Sequence, residues 1–236
     1  MGSIQYIHTA DTHNEKAALE ILPYILEILK IRSVLDIGCG NGSWLSAAKQ
    51  VGVNEIQGVD GIKLASEQLL INDDNLITHD LKLPLSLNRN FDLALCLEVA
   101  EHLPETAADE IVKTLVNHSN CVLFSAAIPG QGGQFHLNEQ WPEYWHEKFK
   151  KHGFVAYDIL RAKIWNNENV FWWYKQNIIL FAKQGVLPND IKCAGEVSGV
   201  VHPELYRKKM TKPKYIKSNT ILLKLIYDCF KRLLKK

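Results

Sequence analysis

Apolar positions recur along this chain first at helical and then at strand spacing, and the alternation continues as far as residue 183. Ala17, Ala18, Ile21, Leu22, Ile25, Leu26 and Leu29 share one face of a helix over residues 14–30, with Pro23 as its kink point. Short apolar runs then predict strands at Ser33–Ile37 and Glu55–Asp60 and at residues 75–79, 91–97 and 121–128, with helices between them at 43–51, 63–70 and 105–118. Such runs are apolar throughout instead of alternating, which suits a parallel sheet covered on both faces. After residue 128 the regularity breaks into PGQGGQFHLNEQWPEYW, too glycine-rich and aromatic for a routine connection. It resumes as a helix over 142–152, stopped by Gly153, and as strands at 155–161 and 177–183 that predict a closing antiparallel hairpin. The fold class is therefore α/β, a doubly wound, seven-stranded, mostly parallel sheet.

The last quarter of the chain differs. Residues 184–218 show no clean period and read as a linker. Over 220–236, Ile221, Leu222, Leu225, Ile226, Cys229, Phe230, Leu233 and Leu234 form one apolar face with lysines opposite, a basic amphipathic helix. The division expected is a catalytic domain over residues 1–184 and a linker with its tail over 185–236. Charge follows this division, because residues 203–236 hold 11 Lys/Arg against 2 Asp/Glu, whereas residues 1–202 hold 16 against 24. An acidic body carries a basic tail. The tail suits either an anionic membrane surface or docking on protein.

The 236 residues suffice for one packed domain and an appendage. The first dozen residues are polar and mixed, so no secretory leader is expected, no apolar run approaches roughly 20 residues, and Tyr6 stands where a myristoylation signal needs Ser or Thr. The five cysteines are scattered, with no CxxC spacing, so neither a disulfide framework nor a zinc knuckle is indicated. A cytoplasmic protein is expected, peripheral at the inner face of the membrane if the tail binds there.

The clearest chemical signal is VLDIGCGNG at residues 34–42, a strand running into a glycine-rich loop that opens a helix. Glycines let the backbone approach a ligand, and the free N–H groups of the helix start face it. A glycine loop also serves dinucleotides. Asp36, two residues before Gly38, separates the readings: its carboxylate can receive a ligand's ammonium and would repel a pyrophosphate. Asp60 ends the next strand, 22 residues after Gly38, where a carboxylate accepts both hydroxyls of a ribose. Asp80 ends the following strand, placed to bond an adenine amino group. The alternative for Asp60 and Asp80 is helix N-capping.

Together VLDIGCGNG, GVDG, HDL and FDLALCLEVAEHL resemble the class I S-adenosylmethionine-dependent methyltransferases over roughly residues 35–183. The resemblance implies a Rossmann-like methyltransferase fold with S-adenosyl-L-methionine as cofactor. By it Asp36, Gly38, Gly40 and Gly42 cradle the methionine part, Asp60 the ribose, Asp80 with Leu81 the adenine, and Leu97 faces the transferring methyl. The stretch SAAIPGQGGQFHLNEQWPEYW, with DILR, Ile164-Trp165 and VFWWYKQN, resembles a bacterial methyltransferase group associated with surface-polysaccharide and glycan biosynthesis. That likeness implies a sugar hydroxyl as acceptor.

The acceptor chemistry is read from Glu98-Val99-Ala100-Glu101-His102. If this segment turns helically, Glu98, Glu101 and His102 fall at i, i+3 and i+4 and aim at one point. A similar ExxEH supplies metal ligands in small-RNA 2′-O-methyltransferases and ubiquinone-pathway O-methyltransferases, with a further histidine from beyond the fifth strand. His136 is placed for that part. Mg²⁺ or Mn²⁺ at Glu98, Glu101, His102 and His136 would lower the pKa of an acceptor hydroxyl. Alternatively His136 is a general base without metal, and the pair Glu101-His102 closes the site. Five of six tryptophans fall within residues 141–173. They suit stacking on a sugar ring, with Trp141 and Tyr144 as the loop candidates, Asn138, Glu139 and Gln140 as hydroxyl partners, and Trp172 and Trp173 as core-packing strand residues. Arg161 and Lys175 are the cations available for an acidic sugar. Two other acceptors remain open: a quinone- or polyketide-type hydroxyl, and an RNA 2′-hydroxyl. The acidic body opposes nucleic acid.

Overall fold

The computed structural model describes residues 14–210. The expected amphipathic helix at 220–236 lies outside them. Helix α1 (Lys16–Leu26) buries Ala17, Ala18, Ile21, Leu22 and Ile25, the face read from the sequence. Strand β1 (Ser33–Ile37) runs into α2 (Ser43–Gln50), then β2 (Glu55–Asp60), β3 (Leu76–Thr78), β4 (Leu93–Leu97), α3 (Ala108–His118), β5 (Cys121–Ser125), α4 (Pro142–Lys150) and β6 (Phe154–Tyr157). Helices α5 (Arg161–Ile164) and α6 (Trp172–Asn177) precede β7 (Ile179–Lys183).

These strands form one seven-stranded sheet in the order β3-β2-β1-β4-β5-β7-β6, parallel except for β7. β7 inserts between β5 and β6, antiparallel to both. Successive residues serve opposite faces: on β4, Leu93, Leu95 and Leu97 join the layer with α1 and α2, whereas Ala94 and Cys96 join the layer with α3 and α4. Both faces are covered, which explains why the strands read as continuous apolar runs. Strand order reverses on either side of β1, and the loops leaving β1, β2 and β4 emerge at one edge, where doubly wound sheets bind ligands.

Three expectations change. No α-helix forms over 63–70, where only the 3₁₀ turn Ser66–Gln68 appears. The chain there serves the glycine loop, since Leu70 N–H donates to Asn41 O at 2.8 Å and Ile71 packs against Gly42. Trp172 and Trp173 lie on helix α6, not on a strand. The antiparallel pair expected from the two late strands forms, β6 against β7, with α5 and α6 in the connection between them. Residues 185–200, read as linker, fold back onto the sheet: Ala194 N–H donates to Ala156 O at 2.8 Å, Arg161 Nη1 donates to Ser198 O at 3.0 Å, and Leu187 and Val197 are buried. The chain divides into compact units at residues 1–200 and 201–236. Of the second, the structure describes helix α7 (Pro203–Met210), which carries a Lys208–Glu204 ion pair at 2.7 Å. Among the described residues no helix is long and apolar enough to cross a membrane.

The second layer centres on Phe181, whose ring stacks on Phe149 at 4.2 Å and meets Phe124 at 6.2 Å. Phe181→Ala is expected to lower unfolding free energy by about 3–5 kcal/mol in urea denaturation. A loss under about 1 kcal/mol contradicts this packing.

Candidate active site

A cavity of about 750 Å³ opens at the edge where β1, β2 and β4 end. Its first end is built on the glycine loop. Gly38 and Cys39 donate their N–H groups to Val59 O at 2.7 and 3.2 Å, and Gly40 N–H donates to Asp60 Oδ2 at 2.8 Å. Asp60 Oδ1 takes the N–H of Ile62 at 2.8 Å. The carboxylate therefore has the local turn bonds of a cap, while its further lone pairs remain for a ligand in the cavity it lines. Gly38 has φ +82°, and a Cβ there would stand 2.4 Å from Val99 Cγ2. Only glycine fits.

Of the residues expected at this end, Asp36, Gly38, Gly40, Asp60, Asp80, Leu81 and Leu97 all line the cavity. Gly42 does not. It stands before α2 at φ +80°, and a Cβ on it would meet Ile71 at 2.7 Å, so its role is to let the loop pack. Asp80 is exposed at the rim and paired with Lys82 at 3.2 Å.

The second end gathers Glu101, His102 and His136, whose ligand-type atoms all lie within 4.8 Å of one another. Glu101 is fully buried, and its carboxylate oxygens make no well-aligned hydrogen bond, its carboxyl adjoining that of Glu98. Burial and then the charge of Glu98 hold its carboxyl well above the usual range. Burial, and then His136, push His102 down to about 4, so its imidazole is neutral near pH 7. One carboxylate with orphaned oxygens beside two imidazoles is a donor set that fits a divalent cation.

Glu98, expected in the same set, is not among the three groups gathered there, although its carboxyl adjoins that of Glu101. The segment makes a single 3₁₀ turn, Ala100–His102, and Glu98 precedes it at φ +56°, so it shares no helical face with Glu101 and His102. Its carboxylate accepts the Gln131 and Asn177 side-chain amides at 2.9 and 3.0 Å. It lines the cavity but stands outside the triad.

The aromatic wall is also differently composed. Trp44, Trp172, Trp173 and Tyr174 line the cavity, and Trp44 Nε1–H donates to Tyr174 Oη at 3.3 Å. Trp141 packs on Gly199, and Tyr144 lies under Lys148 Nζ at 4.7 Å; neither lines the cavity. Nor do Asn138 and Gln140, which bond each other at 2.9 Å, or Glu139, whose partner is His136. Arg161 is buried in an ion pair with Asp158, and Lys175 is buried on α6. Sequence reasoning missed Gln131, Gln176 and Asn177, which bond one another and anchor Glu98. Their signal was an excess of amides in segments otherwise glycine-rich or aromatic.

The Asp36 carboxyl is pushed up to about 8, by burial first and the charge of Asp60 second. An unfolded chain releases this proton near pH 4. Between about pH 4 and 8 the folded state therefore holds a proton the unfolded state lacks, and stability falls as pH rises through that window. Asp36→Asn, measured without ligand by urea denaturation, is expected to raise stability at pH 8 by on the order of 1 kcal/mol or more, a gain that shrinks toward pH 5. A variant less stable than the parent at pH 8 contradicts this.

A methyltransferase-domain family profile matches residues 7–164. The ribosomal protein L11 methyltransferase of Fusobacterium nucleatum subsp. nucleatum is 34% identical over 107 residues, 41% of this chain and 33% of that one. A ubiquinone biosynthesis O-methyltransferase of Paraburkholderia phymatum is 32% identical over 109 residues, 40% of this chain and 44% of that one. The match thus spans less than half the length of these relatives. The fold is shared with the plantazolicin methyltransferase BpumL in complex with SAH, at TM-score 0.52 and 18% identity over 72% of this chain and 83% of that one.

Proposed function

The chain belongs to the methyltransferase-domain family, and from that premise we propose that it is an S-adenosylmethionine-dependent O-methyltransferase acting on a hydroxyl of a sugar or glycan. The observation that carries the reading is the placement of an acid and two imidazoles at one end of a cavity whose other end holds three acids from successive strands.

At the first end, Asp36 receives the ammonium of the methionine part, Asp60 the ribose hydroxyls, and Asp80 with Leu81 the adenine. The sulfonium methyl is already an activated group, so the protein contributes mainly alignment of sulfur, methyl and oxygen. At the second end, His136 takes the hydroxyl proton at Nε2, and neutral His102 with Glu101 confines the oxygen. Alternatively, Glu101, His102 and His136 would hold a divalent cation, which would take the same His136 Nε2 lone pair and itself lower the pKa of a hydroxyl. Two imidazoles to one carboxylate favour Mn²⁺ over Mg²⁺.

The tryptophan faces of the wall suit the C–H face of a sugar ring. Among the described residues the lining holds five carboxylates against one lysine, Lys82, already paired with Asp80. A neutral sugar unit is favoured over a nucleic acid or another polyanion. The second reading is a phenolic hydroxyl. The same flat wall accommodates it, and a relative is named for ubiquinone biosynthesis.

Incubation with methyl-labelled S-adenosylmethionine and a panel of neutral glycans, nucleotide sugars and phenols separates the readings. Label in neutral glycans, at least about a hundredfold slower in His136→Ala, is expected, and its loss on chelation selects the cation over the base; label confined to phenols replaces the sugar by the second reading. In calorimetry Asp60→Ala is expected to weaken cofactor binding at least about tenfold, and unchanged binding overturns the placement. For the tail, pelleting with anionic liposomes is expected to require residues 219–236. Equal pelleting without them removes the membrane contact.

A further inference from the structure

Glu139 is bonded beyond what its surface position requires. Its Oε1 accepts Nδ1–H of His136 at 2.8 Å and the backbone N–H of Gly132 at 2.6 Å, and its Oε2 accepts the N–H of Gly130 at 2.7 Å. A carboxylate only accepts, so neutral His136 carries its proton on Nδ1 and keeps the Nε2 lone pair. Water competes little, since the His136 and Glu139 side chains are 11% and 19% exposed. The ring is fitted closely: a Cβ on Gly133 would stand 2.1 Å from His136 Nε2, and the His102 ring meets it edge-on at 4.9 Å. Leu137 and Asn138 donate their N–H groups to Glu101 O at 2.7 and 3.0 Å. The turn that carries His136 is thus fastened on one side to Glu139 and on the other to the residue bearing the orphaned carboxylate.

We propose that Glu139 is the positioning residue of the acceptor end: it holds His136 in the tautomer with Nε2 unprotonated and locks the glycine-rich turn in the shape that presents it. This rests on the acceptor reading above. Glu139 does not line the cavity, so it touches neither cofactor nor acceptor and acts through His136. The feature legible in the sequence is the i, i+3 spacing of His136 and Glu139.

The test uses the full chain labelled with ¹⁵N-histidine, with His136→Ala to assign the ring signals among nine histidines. Glu139→Gln keeps the shape but sets an amide donor against N–H groups that need an acceptor. The parent is expected to show His136 protonated at Nδ1. Glu139→Gln is expected to show both tautomers and a kcat lower by about tenfold or more, with the KM for S-adenosylmethionine within about twofold. Glu139→Asp is expected to recover part of kcat. A parent ring protonated at Nε2, or a Glu139→Gln chain with unchanged tautomer and kcat, overturns the proposal. Cofactor affinity or Tm falling in step with kcat makes Glu139 a scaffold residue and overturns it too. If the parent methylates nothing in the acceptor panel, the acceptor reading fails, and the tautomer measurement still decides the part of Glu139.

Discussion

The contact between Gly38 and the side chain of Val99 sets the spacing of the two halves of the site. Gly38 opens the loop after β1, and Val99 sits in the segment after β4; a Cβ on Gly38 would come within 2.4 Å of Val99 Cγ2. Because the glycine has no side chain, these loops close on each other at the point where the strand order reverses. Asp36 and Asp60, at β1 and β2, and Glu101 and His102, after β4, are thereby brought to one cavity. Methyl transfer needs sulfur, methyl and oxygen in line, and a shift of an ångström between the halves is costly.

That arrangement concentrates acid in a place that opposes ionisation. Asp36, Glu98 and Glu101 all have raised carboxyl pKa values, with burial the leading cause in each. The fold offsets this unevenly. Glu98 receives two amides from Gln131 and Asn177, whereas the Glu101 oxygens make no well-aligned hydrogen bond and adjoin the Glu98 carboxyl. The satisfied acid is structural in character. The unsatisfied one has the desolvated state that a cation or a hydroxyl proton relieves.

The aromatic wall of the cavity and the amide network behind it are assembled from segments distant along the chain. Helix α6 brings Trp172, Trp173 and Tyr174 to the cavity beside Trp44 of α2, and the amides of Gln176 and Asn177 on the same helix reach Gln131 after β5. One short helix therefore supplies both the aromatic wall and the network that holds Glu98. The glycine-rich turn between Gly130 and His136 is tied down by Glu139 instead of by regular structure. A loop fixed by a few side-chain bonds can vary with the acceptor while the sheet stays the same.

The residue pattern alone specified the α/β class and the bounds of β1 and β2, and it singled out Asp36, Gly38, Gly40, Asp60, Asp80 and Leu97, which the fold brings to one cavity, because each rests on periodicity or on residues a few positions apart. It misplaced 63–70 as a helix and Trp172 and Trp173 on a strand: short apolar stretches fit either period, and the choice was made by packing against Gly42 and the cavity. It put Glu98 with Glu101 and His102 by assuming helical spacing, which a 3₁₀ turn and a left-handed residue 98 do not provide. Glu139, Gln131 and Asn177 acquire their roles only through partners brought together by the sheet order and by the turn after β5. Hydrogen-bond partners separated by 33 to 79 residues, as between Glu98 and these amides, are selected by three-dimensional packing, which no local spacing in the chain encodes.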